Sequence, residues 1–520
     1  MSPDTLINAL QDPGSYPHPC RQIRLIETHI SWVLLTGDRA YKVKKPVDFG
    51  FLDFSTLDKR RHCCNEELRC NSHFAPELYI EVVPITRDQK GHIHVNGAGE
   101  TVEYAVVMRQ FDDRQRGDLL VERDEACHDE FRDFGTYMAE RHRVAPVAAL
   151  DSGWGTAAAV AKPIHENYEV LLEQDPGPIV EGHLSTLRRW GDRTHQELTD
   201  LFDRRLRQGH VRECHGDLHL SNLVRTSRGI RPFDCIEFSP ALRWMDVVND
   251  LAFLTMDCRF RKRTDLAYAF LNQYLETTGD YEGMALLDYY SVYRSLVRAK
   301  VAALQAHGPH REEFLERMRG HIDLAIATTT RHRPGLLLTC GLSGSGKSWL
   351  SRKLMRRLPA IRIRSDIERK RLAGLDLARH SGSDLDAGIY SRAHTTETYS
   401  HLLNLADGLL SSGHTVIVDA TFLRRAQREP FRRLAAAREV PYAILFRPAD
   451  QVTLEARIRK RQEKAAQVSE ATVEVLGSQM KRFEPPTSSA TLEFPVGDEK
   501  MVLSAAAQLR ALLARSAGAG

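Results

Sequence analysis

Residues 341–348 read Gly341-Leu342-Ser343-Gly344-Ser345-Gly346-Lys347-Ser348. The stretch fits G-x-x-x-x-G-K-[ST], a loop whose backbone N–H groups curl around phosphate oxygens. An apolar run, Gly335–Cys340, precedes it, and a helical run, Trp349–Leu358, follows it. Strand, Gly-rich turn and helix N-terminus form the geometry an anionic phosphate needs, because the helix dipole adds to the pull of the N–H groups. In that geometry Lys347 reaches the β/γ-phosphates of ATP and Ser348 holds Mg²⁺. Working outward, Ile361–Ser365, Thr415–Asp419 and Tyr442–Phe446 are short apolar runs separated by helical ones. That alternation predicts a parallel sheet with crossover helices, an α/β P-loop NTPase domain over 331–520.

A second phosphate-handling signature lies upstream, in a region with no such loop. His215-Gly-Asp217-Leu-His-Leu-Ser-Asn222 has the H-x-D-x-x-x-x-N spacing of a kinase catalytic loop. Twelve residues after Asn222, Asp234 follows Pro232-Phe233 at the end of an apolar run. The chemistry explains the spacing: one Asp orients the attacking hydroxyl, an Asn five residues on reaches a Mg²⁺, and a second Asp holds metal against the phosphates. A turn rich in Asp, Asn and Gly is the plainer reading of the loop alone. Asp234 at the expected distance favours phosphoryl transfer.

Composition narrows the remaining classes. The chain has 520 residues, room for two to four domains. A formal net charge of +3 does not suit a protein that coats nucleic acid. The basic clusters Arg352-Lys353, Arg356-Arg357 and Arg369-Lys370-Arg371 read as solvated helix faces. Nine cysteines, an odd number with no C-x-x-C pair, predict reduced thiols in a cytoplasmic protein. His62-Cys63-Cys64 with Cys70 and His73 matches no common zinc spacing and reads as a helix with buried thiols. No apolar run is long enough to span a bilayer, so no membrane association is expected.

The first 330 residues resemble the aminoglycoside phosphotransferase and choline kinase superfamily. The resemblance rests on His215–Asn222, Phe233-Asp234 and Trp244-Met-Asp246-Val-Val-Asn-Asp250. It implies a two-lobed α+β kinase-like domain, N-lobe about 1–110 and C-lobe about 111–330. Carried over by position, Asp217 is the catalytic base and Asn222 and Asp234 bind Mg²⁺. Lys42 pairs with the nucleotide phosphates, with Lys44 the alternative because both point the same way on a strand. Glu66 or Glu67 would hold that lysine from the helix over 58–74. Val106–Phe111, with Met108 at its centre, would be the hinge against adenine. No Gly-rich loop occurs near residues 20–35, a departure from the wider kinase pattern.

Residues 335–520 resemble P-loop small-molecule and polynucleotide kinases, including zeta-type toxins and gluconate kinase. Here Asp366 closes the second strand and would activate the acceptor hydroxyl. Asp419 ends a Walker-B-like strand and would contact metal or its water. Arg457 and Arg461, spaced i, i+4 on a lid helix, would face the transferring phosphate. The combined arrangement resembles bacterial bifunctional aminoglycoside phosphotransferase/ATP-binding proteins. It implies two ATP- and Mg²⁺-dependent transfers to hydroxyl-bearing acceptors that the sequence does not name. Two other readings remain open at this point: a P-loop kinase governed by a nucleotide-sensing pseudokinase half, and a nucleotide-switched scaffold or nucleic-acid-binding module.

Overall fold

The computed structural model describes all residues except 1, 21, 51, 331–332, 378–387, 463–471, 489, 495–498 and 516–520. By compactness the chain forms two units. The first takes in residues 1–130, 140–261 and 289–325; the second takes in 131–139, 262–288 and 326–520.

The first unit begins with a six-stranded antiparallel sheet. Its order is Arg24–Glu27, Ser31–Leu35, Arg39–Lys44, Glu100–Arg109, Tyr79–Arg87 and Ile93–Val95. In the strand Arg39–Lys44 the side-chain period of two sends Tyr41 and Val43 into an apolar core with Trp32, Leu34, Val83 and Ile85. It sends Lys42 and Lys44 to the opposite face. The helix Leu57–Phe74 covers that face. Thr56 caps it, its side chain accepting from Lys59 N at 3.3 Å. Its buried stripe, Arg60, Cys63, Cys64, Glu67, Cys70, Asn71 and Phe74, recurs at three- and four-residue spacing. The thiols of this stripe are buried and free, as the sequence predicts. Helices dominate the rest of the unit, among them Pro178–Arg207, Val247–Phe260 and most of Leu287–Leu304 and Arg311–Thr329. Antiparallel sheet, one helix across it and a helical lobe make the kinase-like α+β fold.

The second unit is built on a five-stranded parallel sheet ordered Ala360–Arg364, Thr415–Asp419, Leu336–Cys340, Tyr442–Phe446 and Thr491–Glu493. Leu337, Ile417, Ala443 and Leu445 pack with Leu350 and Leu354 of the helix Lys347–Met355 and with Val502, Ala505 and Leu509 of the helix Glu499–Arg515. The edge strand Ala360–Arg364 is read by the helix Thr264–Thr278. Asn272 accepts from Arg362 N at 2.7 Å and donates to Ala360 O at 2.9 Å, extending the sheet edge with a side-chain amide. One turn on, Glu276 takes Arg362 at 3.1 Å and Arg364 at 2.6 Å. Burial alone would raise the Glu276 carboxyl, but the two guanidiniums hold it below the usual carboxylate range.

Removing Glu276 leaves two buried guanidiniums without their shared carboxylate. Glu276→Ala should destabilise the second unit by about 3 kcal/mol, read as a lower urea midpoint with unchanged slope. Glu276→Asp, with a shorter reach, should fall between the two.

Candidate active sites

In the first unit a buried carboxylate sits between two lysines. Glu67, fully buried, accepts from Lys42 Nζ at 2.8 Å through Oε1 and from Lys44 Nζ at 2.7 Å through Oε2. Lys42 also pairs with Asp234, and Lys44 with the buried Glu237. Burial pulls the Glu67 carboxyl upward, but the two ammonium groups outweigh it and hold it at about 2. The carboxylate beside the lysines is therefore Glu67. Glu66, one position away and about 100° round the helix, faces Arg69 at 2.9 Å and Arg243 at 3.0 Å instead. Lys42 is the lysine that also reaches Asp234. Lys44 is wholly buried beneath it, 4.8 Å from the Phe54 ring centre.

The loop 215–222 is held from behind by acids. Asp250, buried at the start of the helix Val247–Phe260, accepts from His215 N at 2.8 Å and Gly216 N at 3.0 Å. Asp257, two turns along, accepts from Leu220 N at 2.9 Å, and Asp118 accepts from Ser221 Oγ at 2.9 Å. Asp217 projects from this frame with a third of its side chain exposed. Asn222 donates through Nδ2 to Asp217 Oδ2 at 2.8 Å and to Asp217 O at 3.0 Å. That use of its nitrogen leaves its amide oxygen for a hard cation. Burial favours a higher Asp217 pKa, but His219, Arg298 and His215 hold its carboxyl well below the usual range.

Asp234 stands in the left-handed region, φ 61°. The strain is met by Tyr79 Oη, which accepts from its N–H at 3.0 Å, and by Asn71, which accepts from Cys235 N at 3.0 Å. Nearly half of the Asp234 side chain is exposed. The site thus gathers Lys42, Glu67 and Asp234 by direct contact, and Asp217 with Asn222 by another. Met108 lies opposite Ala40 and Tyr79 in the sheet, packed beside Phe111 and Phe233. Between Arg24–Glu27 and Ser31–Leu35 runs a tight Thr28–Ser31 turn with no glycine. Asp257, Tyr79 and Glu237 escape a motif reading, while Asp250 belongs to the run 244–250, which by itself gives it no role.

The second unit's site lies at the C-terminal ends of its strands. Gly341, Gly344 and Gly346 all have positive φ, 140°, 84° and 89°. A Cβ at Gly341 would stand 2.9 Å from Arg447 O, and one at Gly344 2.9 Å from Leu454 O, so two of the loop's glycines are required by close backbone approach as well. Lys347 Nζ donates to Leu342 O at 2.8 Å, folded back across the loop. Ser343 N donates to Gln479, and Ser345 Oγ is buried without a hydrogen-bond partner.

Ser348 Oγ donates to Asp419 Oδ1 at 3.1 Å, and Ser351 Oγ to Asp419 Oδ2 at 2.9 Å. A hydroxyl and a carboxylate in contact behind a phosphate loop are the oxygen donors a Mg²⁺ takes, so the residues fit that ion. Arg457 Nη1 approaches Gly344 O and Ser345 O at 3.4 Å each, which brings the lid helix Gln451–Gln462 onto the loop. The Arg461 side chain lies outside the described residues. Asp366 is in the first turn of the helix Ser365–Leu372, two residues after Arg364, which pairs in register with Asp419. Arg364 is held above its ordinary pKa, against burial, by Glu276, Asp419 and Asp366. The N-cap of this helix is Arg364, and Asp366 makes no cap hydrogen bond.

Two departures from expectation stand out in this unit. The cluster Arg369-Lys370 is not a solvated face: Arg369 is 7% and Lys370 1% exposed, Arg369 donating to Ile389 O at 2.7 Å. Arg447, at the end of Tyr442–Phe446, lies behind Gly346 and 5.3 Å from the Trp349 ring centre. Its Nε and Nη1 are buried without partners. A lone arginine in a strand-end sequence carries no signal that would single it out.

A family model described as an AAA domain matches residues 336–486. An uncharacterized protein of Mycobacterium tuberculosis is similar at 32% identity over 410 residues, 79% of this chain and 80% of that protein. Among solved structures, a gluconokinase from Sinorhizobium meliloti is 20% identical, covers 34% of this chain and 95% of its own, and superposes with a TM-score of 0.26. A choline kinase from Cryptosporidium parvum is 13% identical, with 62% and 95% covered and a TM-score of 0.38. No described helix is long and apolar enough to cross a membrane.

The lysine–glutamate geometry makes a direct expectation. Glu67→Gln should cost the first unit about 3 kcal/mol at pH 7, since both lysines lose a charged partner. The folded carboxyl titrates near 2 and the unfolded one near about 4.3. The stabilisation is therefore complete above that unfolded value and drains as pH falls through 4 toward 2, so wild type and variant should converge in acid. If the first unit turns over ATP, Glu66→Gln should leave that turnover nearly unchanged, as measured by phosphate release.

Proposed function

This chain belongs to one family with the uncharacterized mycobacterial protein it matches, and we propose that both of its kinase-type folds are active, making it a bifunctional ATP-dependent phosphotransferase. What supports the reading is that each unit sets a lysine beside oxygen groups of the kind that Mg²⁺ takes. In the first these are Lys42, Asp234 and Asn222; in the second they are Lys347, Ser348 and Asp419. Mg²⁺ held by these residues would neutralise the negative charge that develops on the transferring phosphate.

In the first unit Lys42 takes the nucleotide phosphates and Glu67 keeps it aimed. Asn222 fixes the rotamer of Asp217, whose exposed carboxylate receives the acceptor hydroxyl. The hydroxyl oxygen bonds to the γ-phosphorus, the bond from that phosphorus to the β–γ bridging oxygen breaks, and the hydroxyl proton passes to Asp217. Because its pKa is depressed, Asp217 works chiefly by orienting the hydroxyl and takes the proton late. In the second unit backbone N–H groups of 341–348 and Lys347 hold the triphosphate, and Arg457 meets the transferring group. Asp366, with no structural hydrogen bond to make, takes the acceptor proton, and Asp419 with Ser348 would hold Mg²⁺. The same reading keeps the sequence boundary near 331, although the compact second unit also takes in 131–139 and 262–288, whose helix Thr264–Thr278 braces its sheet.

A second reading is favoured by the glycine-free Thr28–Ser31 turn: the first unit senses nucleotide without turning it over. The two separate in one experiment on the full chain. With Mg-ATP and a panel of metabolite alcohols, Asp217→Asn and Lys347→Ala should each remove about a hundredfold of a different part of the turnover, and the double variant should remove both. If Lys347→Ala alone abolishes all turnover, the first unit is a sensor.

Asp366 separates a catalytic role from a structural one. Asp366→Asn should melt like wild type and bind ATP normally while phosphoryl transfer by the second unit falls about a hundredfold. Near-normal transfer would move the base assignment to Asp419.

A further inference from the structure

Asp217 lies beside His219 and within the electrostatic reach of Arg298. On the helix Leu287–Leu304, Arg294 and Arg298 are four residues apart and share a face. Arg294 is engaged: it donates to Asn249 Oδ1 at 2.7 Å and lies 4.5 Å from the centre of the Phe253 ring. His219 meets the same ring edge-on at 5.2 Å, and its Nε2 stands 3.3 Å from Asp217 Oδ2. Phe253 therefore links this face of the helix to Asp217. Arg298 lies one turn along from Arg294. Its Nε is buried without a hydrogen-bond partner, and among the described residues no carboxylate pairs with it.

Arg298 is one of four cationic groups that act on His321. His321, 1% exposed, stacks flat on Phe260 at 3.8 Å and its Nδ1 has no partner. Burial, and then the neighbouring Arg298, Arg317, Arg261 and His219, push its pKa down to about 3, so the ring is neutral at ordinary pH. Arg261 faces Asp257 and Glu122, each at 3.7 Å, and Arg317 faces Glu313 at 3.1 Å. Among the described residues Arg298 has no carboxylate within ion-pair distance, and the acid its charge acts on is Asp217 itself. A guanidinium partly out of water with no directly paired acid gains when an anion arrives. Its planar fork matches carboxylate or phosphate oxygens.

We infer that the acceptor phosphorylated in the first unit carries an anionic oxygen group, a carboxylate or a phosphate, which Arg298 binds while the acceptor's hydroxyl lies at Asp217. The inference rests on the first unit being a phosphotransferase. Arg298 holds the acceptor and exchanges no proton; the bond made and the bond broken are those of transfer from ATP to the hydroxyl. A cationic acceptor would meet Arg298, Arg261 and Arg317 as like charges, and a neutral polyol would leave Arg298 unpaired.

The test uses the full chain with both nucleotide sites filled by Mg²⁺ and a non-hydrolysable ATP analogue, so that the phosphate loops are occupied. Inorganic phosphate, acetate and choline are titrated calorimetrically. Saturable binding of phosphate or acetate is expected, weakened about tenfold or more by Arg298→Gln and largely restored by Arg298→Lys, with thermal melting of each variant recorded alongside. Phosphate alone binding assigns a phosphorylated alcohol; acetate alone assigns a hydroxy acid. The inference is overturned if neither anion saturates, if a folded Arg298→Gln binds as wild type does, or if choline binds in their place. Turnover that depends on Asp217 in a Lys347→Ala background, with no anion binding, sinks this inference alone. Anion binding without Asp217-dependent turnover sinks the phosphotransferase reading instead.

Discussion

A cation buried in a protein interior stays charged and fixed in place only when an acid is buried with it. Glu67 meets this constraint in the first unit, each of its oxygens taking one lysine. The sheet needs the helix Leu57–Phe74 against it to bring Glu67 there. The strand Arg39–Lys44 needs its period-two alternation to present both lysines to one face while Tyr41 and Val43 close the core on the other. Removing either element leaves charge buried without a partner, which costs more than the loss of an ordinary contact. Glu276 answers the same constraint in the second unit, between Arg362 and Arg364, beside the strand whose end carries Asp419.

The two candidate sites are built by opposite means. The second rests on backbone: three glycines take positive φ, and two of them stand where a Cβ would strike a neighbouring carbonyl. In the first, side chains from distant parts of the chain converge: Lys42 and Asp234 touch although 192 residues separate them. A frame of acids behind the loop 215–222, Asp250 and Asp257 above all, replaces the rigidity that glycine turns supply elsewhere.

That difference governs what could be read from sequence. The loop 341–348 is contiguous, and its glycines, lysine and serine are specified by local geometry, so sequence alone located it and the three strands beside it. The kinase-like site was legible only in part. His215–Asn222 and Asp234 stand out by spacing, but Lys42 and Lys44 share a face and periodicity cannot choose between them. Glu66 and Glu67 are neighbours, and only the packing of Cys63, Cys70 and Phe74 turns Glu67 inward. The strands Arg24–Glu27, Ile93–Val95 and Thr491–Glu493 are too short to show a pattern. Arg369-Lys370 reads as a surface pair because burial of a charge is decided by what packs over it. The service of the helix Thr264–Thr278 to the second sheet depends on Asn272 and Glu276 meeting a strand some 90 residues on, which no local signal records.

The central claim is that one chain carries two independent nucleotide sites, and binding stoichiometry tests it most directly. Equilibrium dialysis of the full chain with Mg²⁺ and a labelled non-hydrolysable ATP analogue should saturate at two nucleotides per chain. Lys347→Ala should remove one of them and leave the affinity of the other unchanged. Saturation of the wild-type chain at a single nucleotide, lost entirely on Lys347→Ala, would contradict the account.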